Sequence, residues 1–190
     1  MRAALLRLLE QGKPFKDLTV DELAREAGLS RTAFYFYFPG KTQVLLAAAA
    51  QITDVAFDIA DEWWSGEGPP RDLLRKAVAG NVRVYVEHAS VIRTMVEATY
   101  YDPEVRAFYA QAMERFVSAA TDYLREEKRA GRLRRDLDPE AVAPVLIWMG
   151  ERCHDVLIGT EHRDPDDVVD ALVTVWQHAL YRDEVVEAEA

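Results

Sequence analysis

Apolar residues recur at three- and four-residue spacing through most of the chain, and glycine and proline interrupt this pattern at a few places. Such spacing puts the apolar side chains on one face of an α-helix. No stretch alternates between apolar and polar residues for long enough to predict a strand. The sequence therefore predicts an all-α fold of about nine helices, over residues 2–12, 20–27, 31–38, 41–64, 71–88, 91–101, 103–130, 139–159 and 165–181.

Short local motifs mark where several of these helices begin and end. The three pairs Asp102-Pro103, Asp138-Pro139 and Asp164-Pro165 each place a good capping residue before a proline suited to the first helical position. The segment 65–70, SGEGPP, combines glycine with proline and predicts a clear break between two helices. These local signals therefore delimit the long helices in the C-terminal part of the chain.

A compact pair of predicted helices follows the first one. Thr19 and Glu22 have the spacing of a capping box at the start of the first helix of this pair. Gly28 suits the left-handed position that ends it, and Ser30 suits the cap of the next helix, which begins at Arg31. Two short helices joined by a tight glycine-containing turn form a helix-turn-helix, whose second helix enters the major groove of DNA.

The second helix of this pair lies in a block dense in aromatic residues, TAFYFYFPGK over residues 32–41. This block resembles the TetR family of transcriptional regulators, and most of all its ethionamide-resistance repressor branch, in which FYFYFP is also followed by a lysine. The resemblance is close over residues 1–46 and weaker beyond them. It implies a three-helix DNA-binding domain at 1–46, joined to a larger helical domain at 47–190 for effector binding and dimerisation.

A ligand-responsive transcriptional regulator is the function that this resemblance implies. Such a protein represses transcription, binds a palindromic operator as a homodimer, and is released by a small lipophilic effector. A helical metal- or ligand-binding protein or enzyme without DNA binding stays open as the alternative. Its one starting point is Glu151 and His154, which share a helix face at i, i+3 spacing. The sequence holds no second copy of this motif, so we predict no metal site, no cofactor and no catalytic set.

The predicted DNA contacts lie on and around the second helix of the helix-turn-helix. An arginine can bond a guanine edge in two places and a threonine methyl can meet a thymine methyl, so Arg31 and Thr32 are candidates for base contacts. Lys41, at a helix N-terminus, is a candidate for a phosphate contact. Phe34 and Phe38 are expected to pack inward. The predicted set is Thr19, Ser30, Arg31, Thr32, Tyr35, Tyr37 and Lys41.

A second candidate set is mostly aromatic and is spread over the helices of the C-terminal part. It comprises Asn81, Tyr85, Tyr109, Met113, Phe116, Trp148 and Trp176. These side chains could line an apolar cavity with one or two polar anchors, or they could fill an ordinary helical core. The family resemblance implies the cavity and its lipophilic effector. Where related proteins carry polar amides, this chain has Ile147 and Gly150, which predicts a different effector chemistry.

The last two predicted helices carry more apolar surface than one inward face needs. The family resemblance implies that they pair with the same two helices of a second copy as a four-helix bundle. The predicted interface residues are Val142, Leu146, Met149, Leu172, Val175 and Ala179. Burial of both helices within one chain stays open as the alternative.

Charge is distributed unevenly along the chain. The formal net charge is −10, but residues 1–46 hold seven basic and five acidic residues, so the acidity belongs to the remainder. This distribution favours a polyanionic partner for the N-terminal part. The single cysteine, Cys153, excludes an internal disulfide, and no apolar run approaches the length of a membrane span. The predicted setting is therefore the reducing cytoplasm, without a membrane partner.

Overall fold

The structure, a computed structural model, describes residues 1–181. Within this range the regular elements are helical, apart from one isolated bridge between Leu133 and Tyr181, which confirms the all-α prediction. The described part contains eight α-helices: α1 (Arg2–Glu10), α2 (Val20–Glu26), α3 (Arg31–Tyr37), α4 (Lys41–Ser65), α5 (Pro70–Ala98), α6 (Pro103–Arg129), α7 (Pro139–Cys153) and α8 (Pro165–Leu180). A 3₁₀ turn at Phe15–Asp17 precedes α2, and a π-helical turn at His154–Ile158 follows α7.

The three Asp-Pro helix starts lie where the sequence predicts them. The carboxylates of Asp102, Asp138 and Asp164 each accept a hydrogen bond from the backbone N–H two residues further on, at 2.9, 3.2 and 2.9 Å. A proline is the first residue of each of these helices, α6, α7 and α8. The caps satisfy N–H groups that the first turn of a helix leaves without an intrahelical partner.

Two predicted helices, over 71–88 and 91–101, form the single helix α5. Its backbone leaves helical geometry only at His88, where φ is −121° and ψ is 20°. The predicted break at Ala89 and Ser90 does not occur, because neither residue prevents a helix from continuing. The described part therefore has one helix fewer than the nine predicted, and the kink lies within one residue of the predicted break.

The chain divides into two compact units that do not follow the order of the sequence. The first contains residues 1–54 and 88–111, and the second contains residues 55–87 together with those from 112 onward. Within the first unit, Thr42 donates to Asp102 Oδ2 at 2.8 Å and Gln43 donates to Glu104 Oε2 at 2.7 Å. These bonds tie the start of α6 to the start of α4. The functional boundary near residue 46 stays a prediction.

Each unit has its own apolar core. In the first, Leu5, Phe15, Leu23, Phe34 and Leu45 are almost completely buried. In the second, the fully or nearly buried side chains include Trp63, Leu74, Val82, Leu124, Leu133, Ala143, Leu172, Val173, Trp176 and Leu180. Burial of this much apolar surface is the main stabilising contribution to a helical fold of this size.

By length and composition, α4 is the one described helix that could cross a membrane. Its residues Val44, Leu45, Ala48 and Ala49 are buried within the first unit. The core helix of a folded domain has the same length and composition, so this feature is weak support for a membrane span.

Candidate nucleic-acid interface and effector site

The start of α2 is held by the predicted capping box. Thr19 Oγ1 accepts from the Glu22 backbone N–H at 3.3 Å, and the Glu22 carboxylate accepts from the Thr19 backbone N–H at 2.9 Å. The Thr19 hydroxyl also donates to Glu22 Oε2 at 2.8 Å. A hydrogen bond from Lys13, together with those from Thr19, lowers the pKa of Glu22 to about 2. A contact between the Thr19 hydroxyl and DNA would therefore compete with the bonds of the capping box.

The turn between α2 and α3 aims the second helix of the helix-turn-helix. Gly28 has a φ of 70°, a left-handed conformation that glycine adopts at little cost. The Leu29 N–H then donates back to Ala24 O at 2.8 Å. Ser30 Oγ accepts from the Ala33 N–H at 3.1 Å and caps α3. The hydroxyl hydrogen of Ser30 is not used in this cap, so the residue could still donate to DNA.

The helix α3 has one buried face and one exposed aromatic face. Phe34 is completely buried and Phe38 is half-buried, with ring centroids 5.9 Å apart, so both pack as the sequence predicts. Tyr35 and Tyr37, of the predicted DNA set, are exposed, as are Arg31 and Thr32. Between the two tyrosines lies Phe36, which is 82% exposed.

Phe36 is a candidate that the sequence reading missed. Residues two apart on a helix point about 200° away from each other, so Phe36 must face away from both Phe34 and Phe38. The position of Phe36 two residues from Phe34 and Phe38 is enough to predict its exposure from sequence. Its ring packs edge-on against that of Tyr37, with centroids 5.1 Å apart. A large apolar side chain is therefore available on the face where α3 would meet a base edge.

Arg31 is held by a partner that the sequence reading did not include. Its Nη1 donates to Asp21 Oδ2 at 2.7 Å, and its guanidinium lies 5.6 Å from the centre of the Tyr35 ring. The hydrogen bond with Asp21 is the main reason that the pKa of Arg31 is raised. Both side chains are exposed, so the pair contributes little to stability. Its effect is to hold the guanidinium at the N-terminus of α3.

Lys41 has a different environment from the one expected of a phosphate contact. Its Nζ donates to three backbone carbonyls, of Phe15 at 2.9 Å, Lys16 at 2.7 Å and Leu18 at 2.8 Å. An ammonium group has three hydrogens, so all of them are engaged. Burial lowers the pKa of Lys41. A phosphate contact by Lys41 would require at least one of these bonds to break.

The predicted effector residues are divided between the two units. Tyr109 belongs to the first unit, while the other six belong to the second. Asn81 is half-buried, and its side-chain N–H donates to Ala77 O at 3.2 Å within its own helix. Its amide is therefore partly satisfied without a ligand. Trp148 is exposed, whereas Tyr85, Met113 and Trp176 are buried.

Two aromatic clusters in the second unit involve residues that the sequence reading did not select. Phe116 packs against Phe57 and Trp64, with ring centroids 5.3 and 6.5 Å apart. Trp176 packs against Trp63, at 5.6 Å. Phe57, Trp63 and Trp64 all come from α4, and their helical spacing was a usable signal. Phe116 and Trp176, of the predicted set, therefore belong to larger aromatic clusters.

A polar cluster lies where α5 faces the π-helical turn. Tyr85 Oη donates to Asp155 Oδ1 at a long 3.5 Å, and the Tyr85 and His154 rings lie with their centroids 5.9 Å apart. Asp155 Oδ2 also accepts from Arg152 Nη1 at 2.9 Å. Burial lowers the pKa of His154 to about 4. The imidazole is therefore neutral near pH 7.

Family models match both parts of the chain. The model described as "Bacterial regulatory proteins, tetR family" matches residues 3–48. The model described as "Transcriptional regulator EthR, C-terminal domain" matches residues 74–182, more than half of the chain.

The chain belongs to the TetR family of transcriptional regulators. It is a helix-turn-helix regulator with a C-terminal ligand-binding domain, and repression and response to a ligand are typical of this family.

Relatives with curated names support the same assignment. The HTH-type transcriptional regulator EthR of Mycolicibacterium smegmatis is 30% identical over 184 residues, which are 94% of this chain and 83% of the relative. EthR of Mycobacterium tuberculosis is 28% identical over 178 residues, which are 91% and 82% of the two chains. Both are named as transcriptional regulators and neither as an enzyme.

Solved structures share the fold. PfmR, a TetR family transcriptional regulator from Thermus thermophilus, has a TM-score of 0.74 at 20% identity, covering 95% of this chain and 97% of its own. SmeT, the repressor of the Stenotrophomonas maltophilia multidrug efflux pump SmeDEF, has a TM-score of 0.72 at 18% identity, covering 97% and 92%. At these identities the likeness concerns the fold alone.

The predicted dimer residues of this TetR-family chain differ in how much surface they offer. Leu146 and Leu172 are 5% and 4% exposed and belong to the core of the second unit. Val142, Met149 and Ala179 are half-buried, and Val175 is 50% exposed. Two residues outside the predicted set, Val145 on α7 and Trp148, are also exposed. The exposed apolar side chains of α7 and α8 are therefore mainly Val145, Trp148 and Val175, a group we term the α7/α8 face.

The alternative of a metal site gains no support from the residues described. No group of three or more His, Cys, Asp or Glu side chains among residues 1–181 is arranged to hold a metal ion. In this part of the chain Glu151 and His154 therefore lack the additional ligands that a carboxylate metal centre needs.

Proposed function

We propose that the protein is a homodimeric repressor that binds a palindromic operator and is released when a small lipophilic effector binds its second unit. The observation that carries this proposal is the exposed face of α3. There Arg31, Tyr35, Phe36 and Tyr37 project into solvent from a helix anchored by the buried Phe34. We propose a cytoplasmic, non-enzymatic protein, because the named relatives are transcriptional regulators.

Each exposed side chain of α3 suits a different part of a DNA site. Arg31 can contact the O6 and N7 atoms of a guanine when it exchanges Asp21 for the base, so its bond to Asp21 competes with the contact. Thr32 and Phe36 can contact the methyl group of thymine, because both present apolar carbon to the groove. The hydroxyls of Tyr35 and Tyr37 can donate to phosphate and fix the register of the helix.

Lys41 has a positioning role in this proposal. Its three bonds hold the backbone of residues 15–18, which leads directly into the cap of α2. A charge-assisted bond is stronger than a neutral one, so three of them make this turn rigid. The lysine thereby fixes the direction of α2, on which α3 is mounted, while its charge still adds to the positive potential near the DNA.

The α7/α8 face is the proposed dimer interface. Val145, Trp148 and Val175 are large apolar side chains that a monomer would leave in water. A two-fold axis through this face pairs like residues of the two copies. Two helix-turn-helix heads of one dimer then meet successive major grooves roughly 34–36 Å apart, which is the reason for a palindromic operator.

Release by the effector requires that it bind one arrangement of the dimer better than the other. The helices α5 and α6 each run from one unit into the other. The bonds of Thr42 to Asp102 and of Gln43 to Glu104 attach the start of α6 to α4, next to the DNA-binding part. A change in α6 caused by an effector can therefore reach the heads through these contacts.

The direct test is selection of bound sequences from random DNA with the full-length protein, followed by affinity measurements on the enriched site. Arg31→Ala should cost roughly 1–3 kcal/mol at one base step and relax the preference there. Arg71→Ala, which removes an exposed arginine from the second unit, is the matched control and should leave affinity unchanged. Selection without enrichment, or equal losses for Arg31→Ala on specific and random DNA, would overturn base reading by α3.

A further inference from the structure

We propose that Tyr85, His154 and Asp155 form the polar anchor of the effector site and select an effector whose head group donates a hydrogen bond. The inference rests on the proposed function, because it takes the second unit as the place where the effector binds. It adds the chemistry of the ligand, which the aromatic residues of the site do not define.

The anchor is assembled by two elements of the second unit. Tyr85 comes from α5 and is buried, while His154 and Asp155 open the π-helical turn. A π turn inserts an extra residue into a helix and is frequent at functional sites. Gly159 ends this turn beside Tyr85, and a Cβ at that position would overlap the Tyr85 hydroxyl. The absence of a side chain at residue 159 is therefore what lets the tyrosine reach Asp155.

His154 is the polar group of this cluster that lacks a protein partner. Its imidazole is half-buried and makes no hydrogen bond within the described residues, only the ring contact with Tyr85. His154 and its neighbours through Gly159 keep part of their surface accessible. A half-buried polar group without a hydrogen bond in the protein can take its partner from a ligand or from water.

The bonding character of each group decides which ligand fits. Burial keeps the imidazole neutral, so it offers one bare nitrogen as acceptor and one N–H. The Tyr85 hydroxyl donates to Asp155 Oδ1 over a long 3.5 Å, and an oxygen that donates keeps lone pairs that can accept. The Asp155 carboxylate adds further acceptor positions and a negative charge. The acceptor positions outnumber the single imidazole N–H, so an O–H or N–H head group fits best, whereas a carboxylate would meet the like charge of Asp155.

The test compares probes of one chain length with the full-length protein: 1-octanol and octylamine as donors, methyl octyl ether as the non-donor, and octanoate as the anion. We expect calorimetric affinity to be about tenfold higher for a donor probe than for the ether, which corresponds to one hydrogen bond of about 1.4 kcal/mol. Octanoate should bind most weakly. A preference of octylamine over 1-octanol would identify a cationic head group, and the reverse a neutral one; either supports the anchor.

Two variants locate the preference. Tyr85→Phe keeps the ring and removes the oxygen, and His154→Leu removes both ring nitrogens; each should bring the donor and ether affinities within about twofold. Tyr100→Phe, at an exposed tyrosine of the first unit, is the control and should keep the wild-type preference. If His154→Leu does not fold, the wild-type probe series and Tyr85→Phe still decide the matter.

Binding and release of DNA are read separately, so that the two proposals can fail separately. Equal binding of ether and donor probes, tighter binding of octanoate, no binding of the donor probes, or unchanged preference in both variants would overturn the anchor. Donor-selective binding that does not release DNA would leave the anchor standing and refute the proposed regulation. Release of DNA by all probes alike would support regulation and refute the anchor.

Discussion

Acidification should destabilise this protein through His154, and the size of the effect follows from its burial. In the unfolded chain a histidine has its ordinary pKa of about 6.5, whereas burial lowers the pKa of His154 to about 4 in the folded protein. A neutral buried imidazole is compatible with the fold above pH 6.5, but the unfolded chain gains a proton first as the pH falls. Stability is therefore present at neutral pH and is lost on acidification.

The magnitude is set by the difference between the two pKa values. Each unit of pKa difference corresponds to about 1.36 kcal/mol. Between pH 7 and pH 5 the unfolded chain takes up a proton that the folded protein does not, so the free energy of unfolding falls by about 2 kcal/mol. The loss approaches about 3 kcal/mol below pH 4, where the site is protonated in both states. In His154→Gln, which keeps a polar side chain that does not titrate, this part of the pH dependence should disappear.

The assay is urea unfolding of both proteins at pH 7 and pH 5, at one protein concentration because dimer stability depends on it. The wild type should lose about 2 kcal/mol more than His154→Gln over this interval. His162→Asn, a change at an exposed histidine whose φ of 56° asparagine tolerates, should behave as the wild type does. Equal losses in the wild type and His154→Gln would refute a buried neutral imidazole at residue 154.

Three further changes test the other interpretations. Lys41→Met should lower the free energy of unfolding by roughly 2–4 kcal/mol, because three carbonyls lose a charged donor, and should leave the salt dependence of DNA binding nearly unchanged. If the slope of log affinity against log salt falls by about one, Lys41 instead makes the phosphate contact that the sequence predicts. Asp21→Asn frees Arg31 from its ion pair and should tighten DNA binding up to about fivefold, since an exposed ion pair contributes up to about 1 kcal/mol. A fluorescence anisotropy titration that shows unchanged affinity would mean that the pair does not restrain Arg31. Val175→Asp should shift sedimentation from dimer toward monomer, because it places a charge on the α7/α8 face, and a persistent dimer would move the interface elsewhere.

The helix-turn-helix could be predicted from sequence because its determinants are local. The capping box of Thr19 and Glu22, the left-handed Gly28 and the cap of Ser30 all act within three residues of their own position. The Asp-Pro helix starts are local in the same way. Helical spacing alone also separated the buried Phe34 from the exposed tyrosines, and would have revealed Phe36.

Other features depend on residues that are distant in the chain. The three carbonyls that hold Lys41 lie 23–26 residues before it, and the tyrosine that faces Asp155 lies 70 residues before that aspartate. The spacing of residues along the chain does not reveal such contacts, so the sequence predicts Lys41 as a phosphate contact and Tyr85 as one aromatic among several. The burial of Leu146 beside the exposed Val145 likewise depends on which helices pack against α7.

The sequence by itself therefore determined the helices, their caps, the aromatic recognition helix and, through its resemblance, the family. These follow from backbone hydrogen bonds and side-chain spacing within a few residues. The tertiary structure decided which polar groups are already satisfied and which are not. Lys41 donates to three carbonyls, while the half-buried imidazole of His154 makes no hydrogen bond in the described residues, because packing brings distant chain segments together and removes water from the groups between them.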